Sequence, residues 1–142
     1  MLLVENRKAR FEYTVHEKMI AGVVLSGAEV KSLRLKQGSL AGSYVKEVNN
    51  EFWLINAHVN PYSFANNPDY EPRHSRKLLL SKKEVAMLQE KSKQKGWAIV
   101  PLAILLLHNR IKVEIALAKG KKAYEKKEVI KQRDLKREGR LD

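Results

Sequence analysis

The stretch AIVPLAILLLHNRIKVEIALA, residues 98–118, carries the strongest fold signal in the chain. Its second half alternates apolar side chains with charged or small ones, which is the period of a half-buried strand; the apolar positions are Ile111, Val113, Ile115 and Leu117. Its first half is nearly all apolar, and residues 104–107 predict a strand that is buried on both faces or packed under a helix. Because only the tripeptide 108–110 separates the two halves, we predict a tight antiparallel hairpin.

Further strand patterns precede this hairpin in the chain. Asn49 and Asn50 tolerate left-handed backbone and lie between residues 43–48 and 51–59, so they predict a second hairpin with a two-residue turn. One side of its second strand carries four apolar residues: Trp53, Ile55, Ala57 and Val59. Nearer the N-terminus, alternation at Phe11, Tyr13 and Val15 predicts a strand, and the apolar residues 23–25 predict another short one.

Two segments have helical patterns. Residues 28–34 place Val30 and Leu33 on one face, and Gly38 is expected to end this helix through its ease at positive φ. Ser81 and Glu84 match a capping box at the start of a second helix, with Val85 and Leu88 as its buried stripe and Gly96 as its stop. Three prolines in residues 60–76 break helix and central strand alike, which predicts a long loop between the two helices.

Together these elements predict a mainly β fold. Roughly six short strands with hairpin connections, two to three short helices and a basic C-terminal tail favour a closed antiparallel six-stranded barrel of the oligonucleotide-binding type. The length of 142 residues fits one domain with an appendage. We therefore expect a barrel domain over residues 1–122 and a tail over residues 123–142.

The charge of the chain favours a polyanionic partner. Lys and Arg number 28 against 16 Asp and Glu, a formal net charge of +12, and such a field attracts nucleic acid or an anionic membrane. Membrane is the weaker candidate because the longest apolar run, residues 97–107, falls far short of the ~20 residues that span a bilayer. The absence of cysteine is compatible with a cytoplasmic protein, which we expect to be a monomer when free.

The tail is the most basic part of the sequence. Residues 119–142 contain ten Lys or Arg and five Asp or Glu, with few apolar residues. So short and charged a segment is predicted to be disordered when free and helical once phosphates neutralise its lysines.

Catalytic motifs are missing from the sequence. The four histidines, His16, His58, His74 and His108, have no metal-ligand spacing. The Gly120-Lys121-Lys122 tripeptide lacks the upstream glycine and the Ser or Thr of a phosphate-binding loop. We therefore expect no enzymatic activity, no metal and no cofactor.

Four stretches resemble one known family when they are taken in order. They are NRKAR at 6–10, AG at 21–22 followed by GAEVKSLR at 27–34, RKLLL at 76–80, and AKGKK at 118–122. The chain resembles the small protein B family, the SsrA-binding proteins of bacterial trans-translation, over about residues 6–133. The resemblance implies an RNA-binding barrel that binds the tRNA-like domain of transfer-messenger RNA and enters the vacant A site of a stalled ribosome.

The resemblance also implies a role for the tail on the ribosome. The tail is expected to meet rRNA at the A site and in the mRNA channel of the small subunit. Residues expected to bind the ribosome are Tyr124, Lys126, Lys127, Ile130, Lys131, Arg133, Lys136 and Arg137.

The resemblance and the basic stretches select the candidate RNA-binding residues: Asn6, Arg7, Arg10, Glu29, Lys31, Arg34, Lys77, Lys119, Gly120, Lys121 and Lys122. The lysines around Gly120 could instead form a solvated strand end. Glu29 could be an exposed carboxylate at the first turn of a helix, or it could orient Lys31 or Arg34, or accept from a base or 2′-hydroxyl.

The aromatic residues divide into two groups. Trp53, Trp97 and Tyr44 are predicted to be core residues, whereas Tyr13, Tyr62 and Phe64 fit either core or RNA stacking.

Two features depart from the family pattern. The family usually has Asp, Lys and Arg after its GKK motif, and this chain has Glu125, Lys126 and Lys127. A lysine at position 127 lacks the planar fork with which arginine binds phosphate. The tail is also shorter than the family's, ending at Asp142. Two rival classes fit the composition: a general single-strand or initiation-factor-like barrel, which needs aromatics on its sheet face, and a structural ribosomal protein.

Overall fold

The structure is a computed structural model that describes residues 1–120. Within these residues the chain forms nine strands and three helices, in the order β1 Leu2–Glu5, α1 Arg7–Glu12, β2 Tyr13–Val23, α2 Gly27–Arg34, β3 Gly38–Ser39, β4 Tyr44–Val48, β5 Glu51–Ile55, β6 His58–Val59, β7 Arg76–Leu79, α3 Lys82–Ser92, β8 Trp97–Leu107 and β9 Arg110–Gly120. The mainly β class is confirmed. The predictions for Lys121, Lys122 and the tail lie outside the described residues.

Seven strands form one antiparallel sheet in the order β1-β8-β9-β2-β7-β5-β4, and β3 pairs with β6 in a separate ribbon. The sheet curls so that β4 packs against β8. Within residues 1–120 its edge strands β1 and β4 share no ladder, so the sheet is not closed by hydrogen bonds. The predicted number of six strands is corrected to nine within residues 1–120, and the predicted closure into a barrel is not made by strand hydrogen bonds there. Two-residue strands and a short N-terminal strand give too little sequence pattern to be recognised.

The hairpin of β8 and β9 is confirmed. Leu107 pairs with Arg110, and His108 and Asn109 form a two-residue turn with φ of 48° and 64°. The segment of β8 that is buried on both faces lies earlier in the strand than predicted, however. Residues 99–104 are buried, whereas residues 105–107 are half-buried. The reason is α1, which covers the outer face of the sheet around Val100 and leaves the end near the turn uncovered.

The N-terminal prediction needs two corrections. Phe11 belongs to α1 and not to a strand, because Asn6 caps that helix by accepting a hydrogen bond from the Ala9 amide. The prediction of a separate short strand at residues 23–25 is also wrong, since β2 runs through Gly22 and ends at Val23. Close packing favours glycine at position 22, because a Cβ would lie 3.1 Å from Cβ of Leu79 on the neighbouring strand.

Both predicted helices are present. α2 begins one residue earlier than predicted, after Ser26, and the backbone turns at Lys36, whose φ is 61°, instead of at Gly38. α3 has the predicted capping box at Ser81 and Glu84, and Leu88 is fully buried. No helix within residues 1–120 is long and apolar enough to cross a membrane.

The hairpin of β4 and β5 is confirmed, with Asn49 and Asn50 at φ of 52° and 63°. The predicted strand 51–59 is interrupted at Asn56, whose φ is 64°. This kink changes which face is buried: Phe52 and Leu54 face the core before it, and Ala57 and Val59 after it. Trp53 and Ile55 are therefore only half-buried.

Two apolar clusters lie on opposite faces of the sheet. The main cluster includes Leu33, Phe52, Leu88 and Ile115, and a smaller one joins Ala9 of α1 to Val100, Leu102, Ala116 and Ala118 of β8 and β9. The main cluster anchors α2 and α3, and the smaller one anchors α1. The three helices thus flank the long hairpin and leave part of its outer face open.

Candidate nucleic-acid interface

Of the three predicted RNA-binding residues at the N-terminus, one is buried and two are exposed. Asn6 is buried, and its Nδ2 donates to the carbonyl of Pro101 at 2.7 Å, so this residue attaches α1 to β8. Arg7 and Arg10 are exposed on the helix that Asn6 holds. Nη2 of Arg10 lies 3.6 Å from Glu114 of β9, which places one predicted cation beside the middle of the sheet.

The predicted residues of α2 lie at the other end of the hairpin. Nη2 of Arg34 donates to Oδ1 of Asn109 at 2.7 Å, so its guanidinium lies at the β8–β9 turn. Lys31 is exposed, and its Nζ lies 5.5 Å from the ring centroid of Tyr62.

Between α1 and Arg34 lies a part of the outer sheet face that sequence reasoning missed. Directly paired residues in an antiparallel sheet share a face. One row across five strands is therefore formed by Leu2, Leu105, Lys112, Gly22 and Leu79, and Ile20 pairs with Glu114 in the next row. Leu79 and Ile20 are 52% and 41% exposed. The alternation of β9 predicted that Lys112 faces away from the core, but only strand pairing brings Ile20 and Leu79 beside it.

The last described residues of β9 stand at the opposite end of the same strand. Nζ of Lys119 lies 4.7 Å from the ring centroid of Trp97, its cross-strand partner. Gly120 is exposed, and nothing lies within 4 Å of the position that a Cβ would occupy there. An eleven-residue strand spans roughly 30 Å, so the structure separates Lys119 and Gly120 from Arg34 and does not gather the predicted residues into one patch.

Lys77 lies on the outer face of β7, two residues before Leu79 and on the same face of that strand. It pairs with Trp53, which in turn pairs with Lys46, and its ammonium forms an ion pair with Glu51. Tyr44, at the start of β4, is 47% exposed, which corrects its prediction as a core residue. Trp53 and Trp97 are half-buried.

Glu29 is neither exposed nor paired with Lys31 or Arg34. It is 3% exposed and takes part in the α2 capping box, where its Oε1 accepts from the Ser26 amide at 3.0 Å. Its Oε2 accepts from Nε and Nη2 of the buried Arg76 at 2.8 and 2.6 Å. The hydroxyl of Tyr70 and Nε2 of His74 lie 3.0 and 2.9 Å from the same oxygen.

The electrostatics of this cluster follow from its geometry. Burial alone would raise the pKa of Glu29, but the Ser26 amide and the Arg76 guanidinium outweigh it and lower that pKa to about 2. Burial and the neighbouring Glu29 carboxylate raise the pKa of Tyr70 to about 12. The cluster therefore stays ionised at Glu29 and neutral at Tyr70 across the physiological range, as expected for a fixed structural clamp.

Residues 1–120 contain no group of three His, Asp or Glu side chains that could hold a metal ion. The features that the described structure does offer are an exposed sheet face with cations at its borders, and a second cationic end at Lys119.

Comparison with known proteins identifies the family of this chain. The family model described as SmpB protein matches residues 3–141. The SsrA-binding protein of Desulforudis audaxviator is 47% identical over 134 residues, covering 94% of this chain and 88% of the relative. That of Carboxydothermus hydrogenoformans is 44% identical over 137 residues, covering 96% and 92%.

A solved structure described as "tmRNA-SmpB: a journey to the center of the bacterial ribosome" contains a chain that is 40% identical and superposes with a TM-score of 0.71, covering 89% of this chain and 92% of the other. Family model, relatives and fold agree over nearly the whole length, and the chain belongs to the SmpB protein family.

Proposed function

We propose that this chain binds SsrA RNA, the transfer-messenger RNA, and acts with it on the ribosome in trans-translation as a non-enzymatic factor. The identity of its relatives as SsrA-binding proteins and the ribosomal setting of the similar solved structure support this proposal. We further infer that the tRNA-like domain is the part of the RNA that the described domain recognises.

One observation carries the RNA-binding assignment: the outer face of the β8–β9 hairpin is open between α1 and the turn at His108 and Asn109, with a cation at each border. Arg10 stands at one side, Arg34 at the other, and Lys112 between them. Exposed Ile20 and Leu79 give this face apolar surface beside the charges. Cations can neutralise backbone phosphates while the apolar residues contact sugars or unstacked bases, so such a face suits a folded RNA read by shape.

Glu29 contributes to this surface indirectly. RNA would have to displace Arg76 to reach its carboxylate, and a buried charge left without its partner is costly. We infer that Glu29 positions α2, and with it Lys31 and Arg34, while the clamp keeps the long loop after β6 against that helix.

Lys119 and Gly120 form a second proposed contact, together with Lys121 and Lys122, which lie outside the described residues. The open surroundings of Gly120 leave its backbone accessible to a phosphate. The described strands and helices pack around two apolar clusters, which supports one folded unit in this part of the chain. We propose that this unit extends over 1–122 and that residues 123–142 form a ribosome-binding tail. We also propose that side-chain packing of β4 against β8 closes the barrel where hydrogen bonds do not.

The single-strand-binding alternative rests on a different observation. Lys46, Trp53 and Lys77 form a row across β4, β5 and β7, with Tyr44 in the neighbouring row. An aromatic residue between two lysines on an outer sheet face is typical of sequence-tolerant binding to unpaired bases.

A competition assay distinguishes the two functions. We expect the full-length protein to prefer a folded tRNA-like RNA over an unstructured RNA of equal length. The double variant Arg34→Ala/Lys112→Ala should lose affinity and reduce the slope of log affinity against log salt by about two, roughly one for each lost phosphate contact.

The matched control is Lys82→Ala/Lys83→Ala, which removes two exposed cations from α3. That helix packs on the other side of the sheet, so the control should bind like the parent. Equal loss in both doubles would mean that net charge alone drives binding. Equal affinity of the parent for both RNAs would favour the single-strand function.

A further inference from the structure

The loop between β6 and β7, residues 60–75, is irregular in structure, yet its second half is tied to the core. The hydroxyl of Tyr70 lies 2.9 Å from the Val59 carbonyl and 3.0 Å from Glu29. Nη2 of Arg76 donates to the Pro72 carbonyl at 2.8 Å, and the Val59 amide donates to the same carbonyl at 3.1 Å. These contacts hold residues 70–76 against α2 and the buried clamp.

The first half of the loop carries two aromatic rings on its surface. The rings of Tyr62 and Phe64 lie 5.5 Å apart at an angle of 60°. Phe64 is 85% exposed, the largest exposure among the large apolar side chains of residues 1–120. A backbone hydrogen bond of 2.9 Å from the Ala65 amide to the Tyr62 carbonyl closes a turn around the pair. The aromatic pair therefore sits on a turn that is joined to an anchored segment.

The surroundings of the pair are cationic. Nζ of Lys31 lies 5.5 Å from the Tyr62 ring, and Arg34 and Lys36 are exposed on the same helix and its end. A cation next to an exposed aromatic ring suits a nucleotide, because the base stacks on the ring while the ammonium meets the phosphate. An apolar protein partner would leave these charges desolvated and unpaired, which is unfavourable.

We propose that Tyr62 and Phe64 form a stacking platform for an unpaired base of the bound RNA, with Lys31 contacting the adjacent phosphate. This inference rests on the proposed RNA-binding function and adds a recognition element outside the open sheet face. The Glu29–Arg76 ion pair would then have a second role, because it fixes the position of the platform relative to α2.

Substitution of Phe64 tests the platform. Phe64→Ala should weaken binding to the folded tRNA-like RNA by at least about fivefold, the lower range for loss of one stacked base. The salt slope should stay unchanged because no charge is removed. Phe64→Leu should bind as weakly as Phe64→Ala, and Phe64→Trp should restore binding, since stacking needs a flat ring and not only apolar volume. Val48→Ala, which shortens another exposed apolar side chain, is the control.

A blunt RNA duplex separates stacking from backbone contact. It offers few unpaired bases, so Phe64→Ala should bind the duplex as the parent does. If the parent binds the tRNA-like RNA and Phe64→Ala binds it equally well, the platform is wrong and the proposed function stands. If the parent shows no preference for that RNA, the proposed function itself fails.

Fluorine labelling gives a direct readout on the folded protein. The chain has three phenylalanines, Phe11, Phe52 and Phe64, so incorporation of fluorophenylalanine gives three signals. On RNA addition the Phe64 signal should shift, while that of the buried Phe52 should stay in place. An unmoved Phe64 signal at saturating RNA overturns the proposal. A shift that follows protein concentration without RNA would assign the rings to contact between two copies instead.

Discussion

At the scale of single residues, the Glu29–Arg76 pair shows how one ion pair can serve both a helix and a loop. Glu29 caps α2 through Ser26, and Arg76 reaches from β7 to the same carboxylate and to the carbonyls of Ala57 and Pro72. Both side chains are nearly fully buried. A buried charge without its partner is strongly unfavourable, so removing either residue should destabilise the fold.

Glu29→Gln should therefore destabilise the protein by about 3 kcal/mol at pH 7, the usual cost of breaking a buried pair. The pKa of Glu29 is lowered from 4.5 to about 2 in the folded protein, so its stabilising effect is present above pH 4.5 and is lost as the pH falls toward 2. Urea unfolding of parent and variant at pH 7 and pH 3 measures this, and the difference between them should shrink at the lower pH.

The control for this prediction is Glu51→Gln. Glu51 forms its ion pair with Lys77 at the surface, where both side chains are about 40% exposed, so its loss should cost at most about 1 kcal/mol at either pH. A similar, small effect of both substitutions would show that the Glu29 pair does not stabilise the fold.

At the scale of elements, the two hairpins depend on left-handed turn residues. His108 and Asn109 have positive φ, as do Asn49 and Asn50, and two such residues give the twist that matches paired strands. Asn109 also accepts the hydrogen bond from Arg34, so the turn that joins β8 to β9 places one end of the proposed RNA-binding face.

Asn109→Val should destabilise the protein by about 1–2 kcal/mol, because a branched side chain is unfavourable in left-handed backbone. Asn109→Gly should keep the fold within about 0.5 kcal/mol, since glycine adopts this conformation freely. Both variants lose the acceptor for Arg34. Thermal unfolding therefore separates the requirement for the turn from the loss of that hydrogen bond, and equal destabilisation by both would point to the bond.

At the scale of the whole molecule, β9 connects two cationic regions that lie roughly 30 Å apart. One is the outer face between α1 and the β8–β9 turn, and the other is the end at Lys119 and Gly120, from which the chain continues into the tail. Within residues 1–120, the two apolar clusters join the strands and helices to one another. We predict that these elements fold without the tail.

Truncation after Lys122 should leave the free energy of unfolding unchanged within about 0.5 kcal/mol and keep most of the affinity for the tRNA-like RNA. It should abolish tagging of a nascent chain on a stalled ribosome, measured in a reconstituted translation system. Tagging at the parent level would remove the tail from the mechanism, and a large loss of stability would show that the tail belongs to the folded domain.

The sequence by itself determined the features that depend on neighbouring residues. The capping box at Ser81 and Glu84, the turn at Asn49–Asn50 and the alternation of β9 are all local patterns, and each is present as predicted. The tight turn predicted over residues 108–110 is also present, although Arg110 already belongs to β9. The four family stretches likewise identified the family, because they are properties of the sequence alone.

Only the tertiary structure decided the features that join distant segments. Glu29 finds its partner at Arg76 because the fold brings the start of β7 next to α2, a pairing 47 residues apart in the chain. Asn6, which caps α1 locally, attaches that helix to Pro101 at a separation of 95 residues, and Ile20 and Leu79 meet Lys112 only through strand pairing. Local periodicity describes which face a side chain occupies, but the neighbour that covers or exposes that face is set by non-local packing.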